Sequence, residues 1–362
     1  MIYFDNASTT KPCDEAITAI NRGLVELYGN PSSLHSMGVR AQLAVDEARK
    51  IIADSIGCES KNIYFTSGAT ESSNMALKGS AGVYGKRKKR IVTSSVEHSS
   101  VKEAVNELEK SGFEVIRISP DANGIFNPED FIDAVNDDTF LISMMLVNNE
   151  TGYILPVKKV FSVLKRKFPD IITHCDCVQG YMKIPFKVRE LNADLISLSG
   201  HKIHSAKGTG ALYMKKGIRL TPLLNGGKQE NGVRSGTESV PLIMGFGASV
   251  KSLAESINER YDYVSELKKY LCEQLGKLDD IKINSNENCS PYILNISVLG
   301  IRSEIMLHYL ENYEIYVSSG SACSKGAKSG VLDEFRLTPR EADSALRIRL
   351  DLSNTKSEID KF

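Results

Sequence analysis

Lys202 stands at the end of an apolar run, between two histidines, in "SLSGHKIHSAKGTGALYM" (197–214). A lysine so placed must reach water along its stem, pair with an acid, or be held for chemistry. Asp176 closes the preceding run, "IITHCD" (171–176), so an acid and an amine end two consecutive candidate strands. In an open α/β sheet those ends are where ligands bind. One chemistry for the pair is an amine that forms a Schiff base while the carboxylate faces a cationic ring nitrogen. A turn-capping aspartate or a buried ion pair remains open.

A metal site in "HCDCVQG" (174–180) fails on geometry. Strand alternation sends His174 and Asp176 to one side and Cys175 and Cys177 to the other, so the four cannot converge. In "FTSGATESSN" (65–74) a strand meets Gly68 and a helix opening at Ala69 and Thr70, and such a helix start favours phosphate. A plain capped turn would look the same. Cys323 sits in "YVSSGSACSKGAKSGVL" (316–332), among small polar residues with Lys325 and Lys328 nearby. This composition predicts a mobile loop carrying an accessible, acidified thiol, or else an incidental surface cysteine.

The elements that must position these residues alternate. Strand candidates at 62–67, 90–95, 113–119, 139–149, 171–177, 193–199 and 210–214 are interleaved with helical patterns at 72–79, 99–111, 128–136 and 157–168. Runs apolar on both faces predict a mostly parallel sheet covered by helices. After Thr237 a long helical stretch, about 240–278, leads to "IKINSN", "YILNISVL", a helix near 303–311, "EIYVSS" and "ALRIRLDL", which predicts a smaller α+β unit. The expected division is a large α/β domain over 16–250 and a small α+β domain from 1–15 and 251–362, with a cleft between them.

The 362 residues exceed one ordinary core, which agrees with two domains. Forty-five basic residues balance 45 acidic ones, so nothing global points to nucleic acid or an anionic membrane. Lys86 to Arg90 form one basic run, expected as a solvated turn. No segment approaches the ~18 apolar residues that a membrane span needs. Seven scattered cysteines suit free thiols in a reducing cytoplasm better than a disulfide framework.

Taken in order, "YFDNASTT", "GNPSSLHSMG", "FTSGATES", "VEHSSV", "VNNETG", "HCDCVQG", "SGHKIH", "KGTGALY", "RSGTES", "SSGSAC" and "ALRIRL" closely resemble the NifS/IscS-type cysteine desulfurases. Those are pyridoxal-phosphate enzymes of fold type I, related to class-V aminotransferases, and the likeness covers nearly the whole chain. It implies conversion of L-cysteine to L-alanine, with sulfur passed as a persulfide to acceptors for iron–sulfur cluster assembly or thiolation. The implied catalytic residues are Lys202, Cys323 and His98. Ala69, Thr70, Ser199 and His201 match the phosphate cup, and Thr237 matches a phosphate ligand lent by the neighbouring subunit of a homodimer. His98 matches the imidazole stacked on the ring, Asp176 the ring-nitrogen partner, and Asn149 and Gln179 the groups near the ring hydroxyl and substrate. Arg347 matches the clamp on the substrate carboxylate, for which a planar fork is suited.

Ala206 replaces a usual proline, Asn225 and Lys228 fall where glycine and histidine are customary, and Arg349 and Asp351 occupy positions normally small. The last two are expected to alter the substrate pocket or the local fold. Thr355 and Glu358 form a capping-box pattern for a helix of about one turn, where the family continues into a helix that helps dock a scaffold protein. The rivals are a selenocysteine lyase or another class-V aminotransferase-like enzyme, and a non-catalytic partner in sulfur-handling assemblies. Cys323 argues against an aminotransferase. A nucleotide-binding protein lacks its glycine signature, since no G-x-G-x-x-G follows the first strand.

Overall fold

The computed structural model describes residues 1–320 and 330–362. Thirteen strands and their helices follow one another among those residues. The strands are β1 (Ile2–Tyr3), β2 (Ile63–Thr66), β3 (Arg90–Ser94), β4 (Glu114–Ile118), β5 (Thr139–Met145), β6 (Ile172–Asp176), β7 (Leu195–Ser199), β8 (Gly210–Met214), β9 (Ile281–Ile283), β10 (Ile293–Val298), β11 (Ile315–Tyr316), β12 (Ser318–Ser319) and β13 (Ala345–Arg349).

Seven of these make one sheet in the order β2-β8-β7-β6-β5-β3-β4. Only β8 runs antiparallel to its neighbours. The central strands β5, β6 and β7 are buried along their whole length, as apolar runs covered on both faces should be. The covering helices include α1 (Asp14–Val25), α2 (Ser36–Ile56), α3 (Ala69–Tyr84), α4 (Ser99–Lys110), α5 (Pro128–Asp133) and α6 (Val157–Lys167). The expected α/β architecture is therefore present, with each parallel strand except β5 within about two residues of its anticipated ends.

Two readings of the elements needed correction. The run 139–149 ends as a strand at Met145, because Asn148 turns the chain: its side-chain oxygen accepts from the amides of Glu150 and Thr151. The stretch 240–278 is two helices, α8 (Val240–Ala254) and α9 (Ile257–Leu275), past the four-residue α7 (Val188–Leu191). No glycine or proline marks that break. Buried Arg260 donates to the carbonyl of Leu253 at the end of α8 and to that of Met182, so a tertiary contact ends the helix.

A second, antiparallel sheet has the order β12-β13-β10-β9, and β1 pairs in parallel with β11. The N-terminal segment is stitched to this C-terminal part: Phe4 donates to the Tyr316 carbonyl, and Arg349 donates to the Phe4 carbonyl. Arg349 takes part in this seam, and neither it nor Asp351 lines the ligand cavity. The Arg349 guanidinium donates to the Asn6 carbonyl, and the Asp351 carboxylate pairs with His204 Nε2 at 2.7 Å. Their departure from the family pattern thus serves the scaffold around the Lys202 turn. Thr355 and Glu358 do form a reciprocal capping box on the one-turn helix Lys356–Ile359. Among the described residues no helix is long and apolar enough to cross a membrane.

Candidate active site

The carboxyl ends of β2, β3, β5, β6 and β7 open on one cavity of about 590 Å³. Ala69, Thr70, His98, Asn149, Asp176, Gln179, Ser199, His201, Lys202 and Arg347 all line it. The parallel register explains how: β5 and β6 align Met145 with Asp176, and β6 and β7 align Asp176 with Ser197, so one sheet edge presents successive functional residues. Arg347 arrives from the other sheet, on β13. Thr237 is exposed and does not line this cavity. Cys323 lies outside the described residues.

Lys202 sits in a short 3-10 turn directly after β7. Its Nζ donates to the carbonyls of Ala7 (2.8 Å) and Ser8 (2.6 Å), and among the described residues it forms no ion pair with Asp176. Burial first, then the positive charges of Arg347 and Arg349, push its pKa down to about 8. An amine so tuned carries a usable neutral fraction near neutral pH. Asp176, 4% exposed, has its pKa raised by burial, an effect opposed by His98 and Lys202. Its Oδ1 accepts from the Val178 amide at 3.0 Å, which fixes the carboxylate at the strand end.

His98 is the N-cap of α4. The Ser100 amide donates to its Nδ1 at 3.1 Å, so in the neutral ring the proton resides on Nε2. Burial lowers the pKa of this imidazole. His201 is likewise held neutral, at about 4, by burial and then Lys202. Gln179 is tethered at both ends: its Nε2 donates to the Ala7 carbonyl and its Oε1 accepts from buried Lys183 at 3.3 Å.

Arg347 is held by four bonds. One Nη donates to the Asn149 carbonyl (3.0 Å); the other reaches Asp5 (3.1 Å), Ser8 Oγ (2.7 Å) and Ser318 Oγ (3.1 Å). Its Nε is buried and bonds nothing in the protein among the described residues. Ala7, Ser8 and Asp5 were absent from the residues the sequence singled out. Two of them act through main-chain carbonyls, which side-chain identity does not reveal; the polar run "DNASTT" was the available signal.

The donor set suits a phosphorylated pyridine aldehyde. Gly68 caps α3 without a side-chain bond, so the first-turn amides of Ala69 and Thr70 have no carbonyl four residues back to occupy them. Ser199, His201 and Lys207 line the same cavity. An amine, a carboxylate and a guanidinium complete the lining, matching an aldehyde, a ring nitrogen and a carboxylate-bearing substrate.

The sequence pattern described as aminotransferase class-V matches residues 2–362. The chain belongs to that family. This class-V aminotransferase family member uses pyridoxal 5′-phosphate, as its donor set and relatives agree. It is 41% identical to a "NifS/IcsS protein homolog" of Lactobacillus delbrueckii subsp. bulgaricus, over 100% of this chain and 95% of that protein. It is 39% identical to the "Cysteine desulfurase IscS" of Dictyoglomus turgidum, over 99% and 91%. Among solved structures, a "NIFS-LIKE PROTEIN" superposes with a TM-score of 0.94 at 37% identity, covering 99% of this chain and 96% of that one. "SspA in complex with cysteine" superposes at 0.86 with 31% identity, covering 98% and 100%.

Proposed function

We propose that this class-V family member is a cysteine desulfurase, which takes L-cysteine to L-alanine and passes the sulfur on through a persulfide on Cys323. The observation that carries the reading is Lys202, with an amine tuned to about 8, sharing one cavity with Asp176, His98 and Arg347. The names of its full-length relatives support the substrate.

Lys202 would tether the cofactor through its amine. Asp176 would face the ring nitrogen, and Ala69, Thr70, Ser199 and His201 would receive the phosphate. Pyridoxal phosphate, when bound, supplies an electron sink for the charge that develops at the substrate Cα. Arg347, which lines the cavity, holds the substrate carboxylate through its guanidinium. Once released, the Lys202 amine takes the proton from Cα and is placed to return one. His98 presents Nε2–H and stays uncharged through burial. The Cys323 thiolate attacks the substrate sulfur; the S–S bond forms as the Cβ–S bond breaks, and uptake of a proton at Cβ completes alanine.

The exposure of Thr237 supports its contribution to a neighbouring subunit's phosphate site, hence a homodimer. A division at 16–250 against 1–15 plus 251–362 is supported by the seam between the N-terminal residues and β11 and β13. A cytoplasmic setting and a protein sulfur acceptor complete the reading.

The test is mass spectrometry of protein treated with L-cysteine, beside a Cys323→Ser variant. The expected result is 32 Da (about one sulfur atom) added to the peptide containing Cys323, and no alanine from the variant. Persulfide on another cysteine, or full alanine production by Cys323→Ser, would favour the lyase or aminotransferase alternative.

A further inference from the structure

Glu97 precedes His98 in "VEHSSV", yet it does not line the cavity. It is 4% exposed. Its Oε1 accepts from Ser94 Oγ at 2.5 Å and from the Met145 amide at 2.8 Å. Its Oε2 is buried and bonds nothing among the described residues. Ser94 ends β3, Met145 ends β5, and Met145 is the register partner of Asp176 on β6. The Asp176 carbonyl in turn accepts from the Leu146 amide. One carboxyl group therefore ties the turn that carries His98 to the strand end that pairs with Asp176.

A bare oxygen of an ionised carboxylate in that place would be costly, and the neighbouring charge is the like charge of Asp176. The other titratable group shown to interact with it is Cys175 on β6, His98 being its neighbour along the chain, and no ion pair among the described residues reaches it. We propose that Glu97 is a positioning residue: as an uncharged acid it clasps the His98 turn to the Asp176 strand end and so sets the imidazole relative to the carboxylate. Burial, the largest influence, holds its pKa at about 8, in keeping with that role. The proposal rests on the pyridoxal-phosphate site described above and adds a residue that never touches the cofactor.

The experiment compares Glu97→Gln, Glu97→Ala and Ser94→Ala with the parent, using two readouts that need no L-cysteine. The first is the dissociation constant for pyridoxal phosphate, from visible absorbance on adding it to stripped protein near pH 7. Gln keeps the acceptor without a charge and should stay within about threefold of the parent, whereas Ala, losing both clasp bonds, should weaken retention about tenfold or more. Ser94→Ala, which removes one bond, should fall between; it keeps the test decisive if Glu97→Ala does not fold. The second is the thermal midpoint of the stripped protein from pH 5 to pH 8. Over that window the unfolded parent has released the Glu97 proton while the folded one retains it, so parental stability falls with rising pH. The advantage of Glu97→Gln should therefore widen from pH 5 to pH 8. Gln as damaging as Ala, full cofactor retention in both Ala variants, or an advantage that does not change with pH would each overturn the proposal. A parent that binds the cofactor but makes no alanine would overturn the substrate assignment alone.

Discussion

Changing Arg347 to lysine isolates what a planar fork does at this site. The guanidinium spends its two Nη groups on Asn149, Asp5, Ser8 and Ser318, while its Nε bonds nothing among the described residues. An ammonium has three N–H donors, so it cannot keep all four protein bonds and still offer one to a substrate carboxylate. One charge-assisted hydrogen bond to the carboxylate should be lost, about 1.5–3 kcal/mol, or roughly 10- to 150-fold in affinity. The measurement belongs in a Cys323→Ser background, where L-cysteine binds without transferring sulfur. Titration by visible absorbance then gives a dissociation constant free of turnover. The expectation is a rise of one to two orders of magnitude (about 1.4 kcal/mol each), with affinity for the cofactor itself nearly unchanged. A rise below about threefold (~0.6 kcal/mol) would show that Arg347 is a scaffold residue and that another group receives the carboxylate.

Two further outcomes follow from buried carboxylates. Asp176→Ala should leave the ring nitrogen without its counter-charge, reducing cofactor retention and lowering turnover by at least about a hundredfold; unchanged alanine production would show Asp176 to be wrongly placed. Asp351→Asn should cost about 2 kcal/mol by chemical denaturation at pH 7, because it leaves His204 without its partner. The Asp351 pKa is held below the ordinary range by its bonds and charges with His204 and Arg349, against an opposing burial penalty that is the largest single influence. Its stabilisation is thus present above the unfolded carboxyl pKa and is lost as pH falls below it, so the gap between parent and variant should close on acidification. A gap independent of pH would separate Asp351 from the His204 pair.

What could be seen in the sequence was what side chains encode. Apolar runs gave the seven-stranded sheet, and residues at their carboxyl ends gave most of the cavity, because parallel strands must deliver those ends to one edge. The run through Leu146 overshot its strand because the turn depends on an Asn148 side-chain bond to later amides. The break between α8 and α9 was hidden because it depends on Arg260, a residue inside the second helix that reaches back to the first. The hold on Lys202 was hidden more deeply. Its acceptors are the carbonyls of Ala7 and Ser8, roughly two hundred residues away and common to every residue type. Glu97 was quoted within a motif, but its use depends on which amide its oxygen meets. Arg349 and Asp351 were seen as departures, and only their bonds to Asn6 and His204 gave them a purpose.

That seam makes the site a late product of synthesis. Residues 5 to 8 supply the acceptors for Lys202 and Arg347, yet Arg347 and the Arg349 that binds Asn6 are translated long after them. The seven-stranded sheet can form on the ribosome from local units, since its strands and crossovers all precede residue 215. The ligand-binding edge cannot, because its lysine and its guanidinium lack their anchors until β13 leaves the exit tunnel and closes a loop of more than three hundred residues. Loading of the cofactor should therefore follow the emergence of β13, and a nascent chain arrested before β13 should hold a folded sheet with an amine that has nothing to orient it.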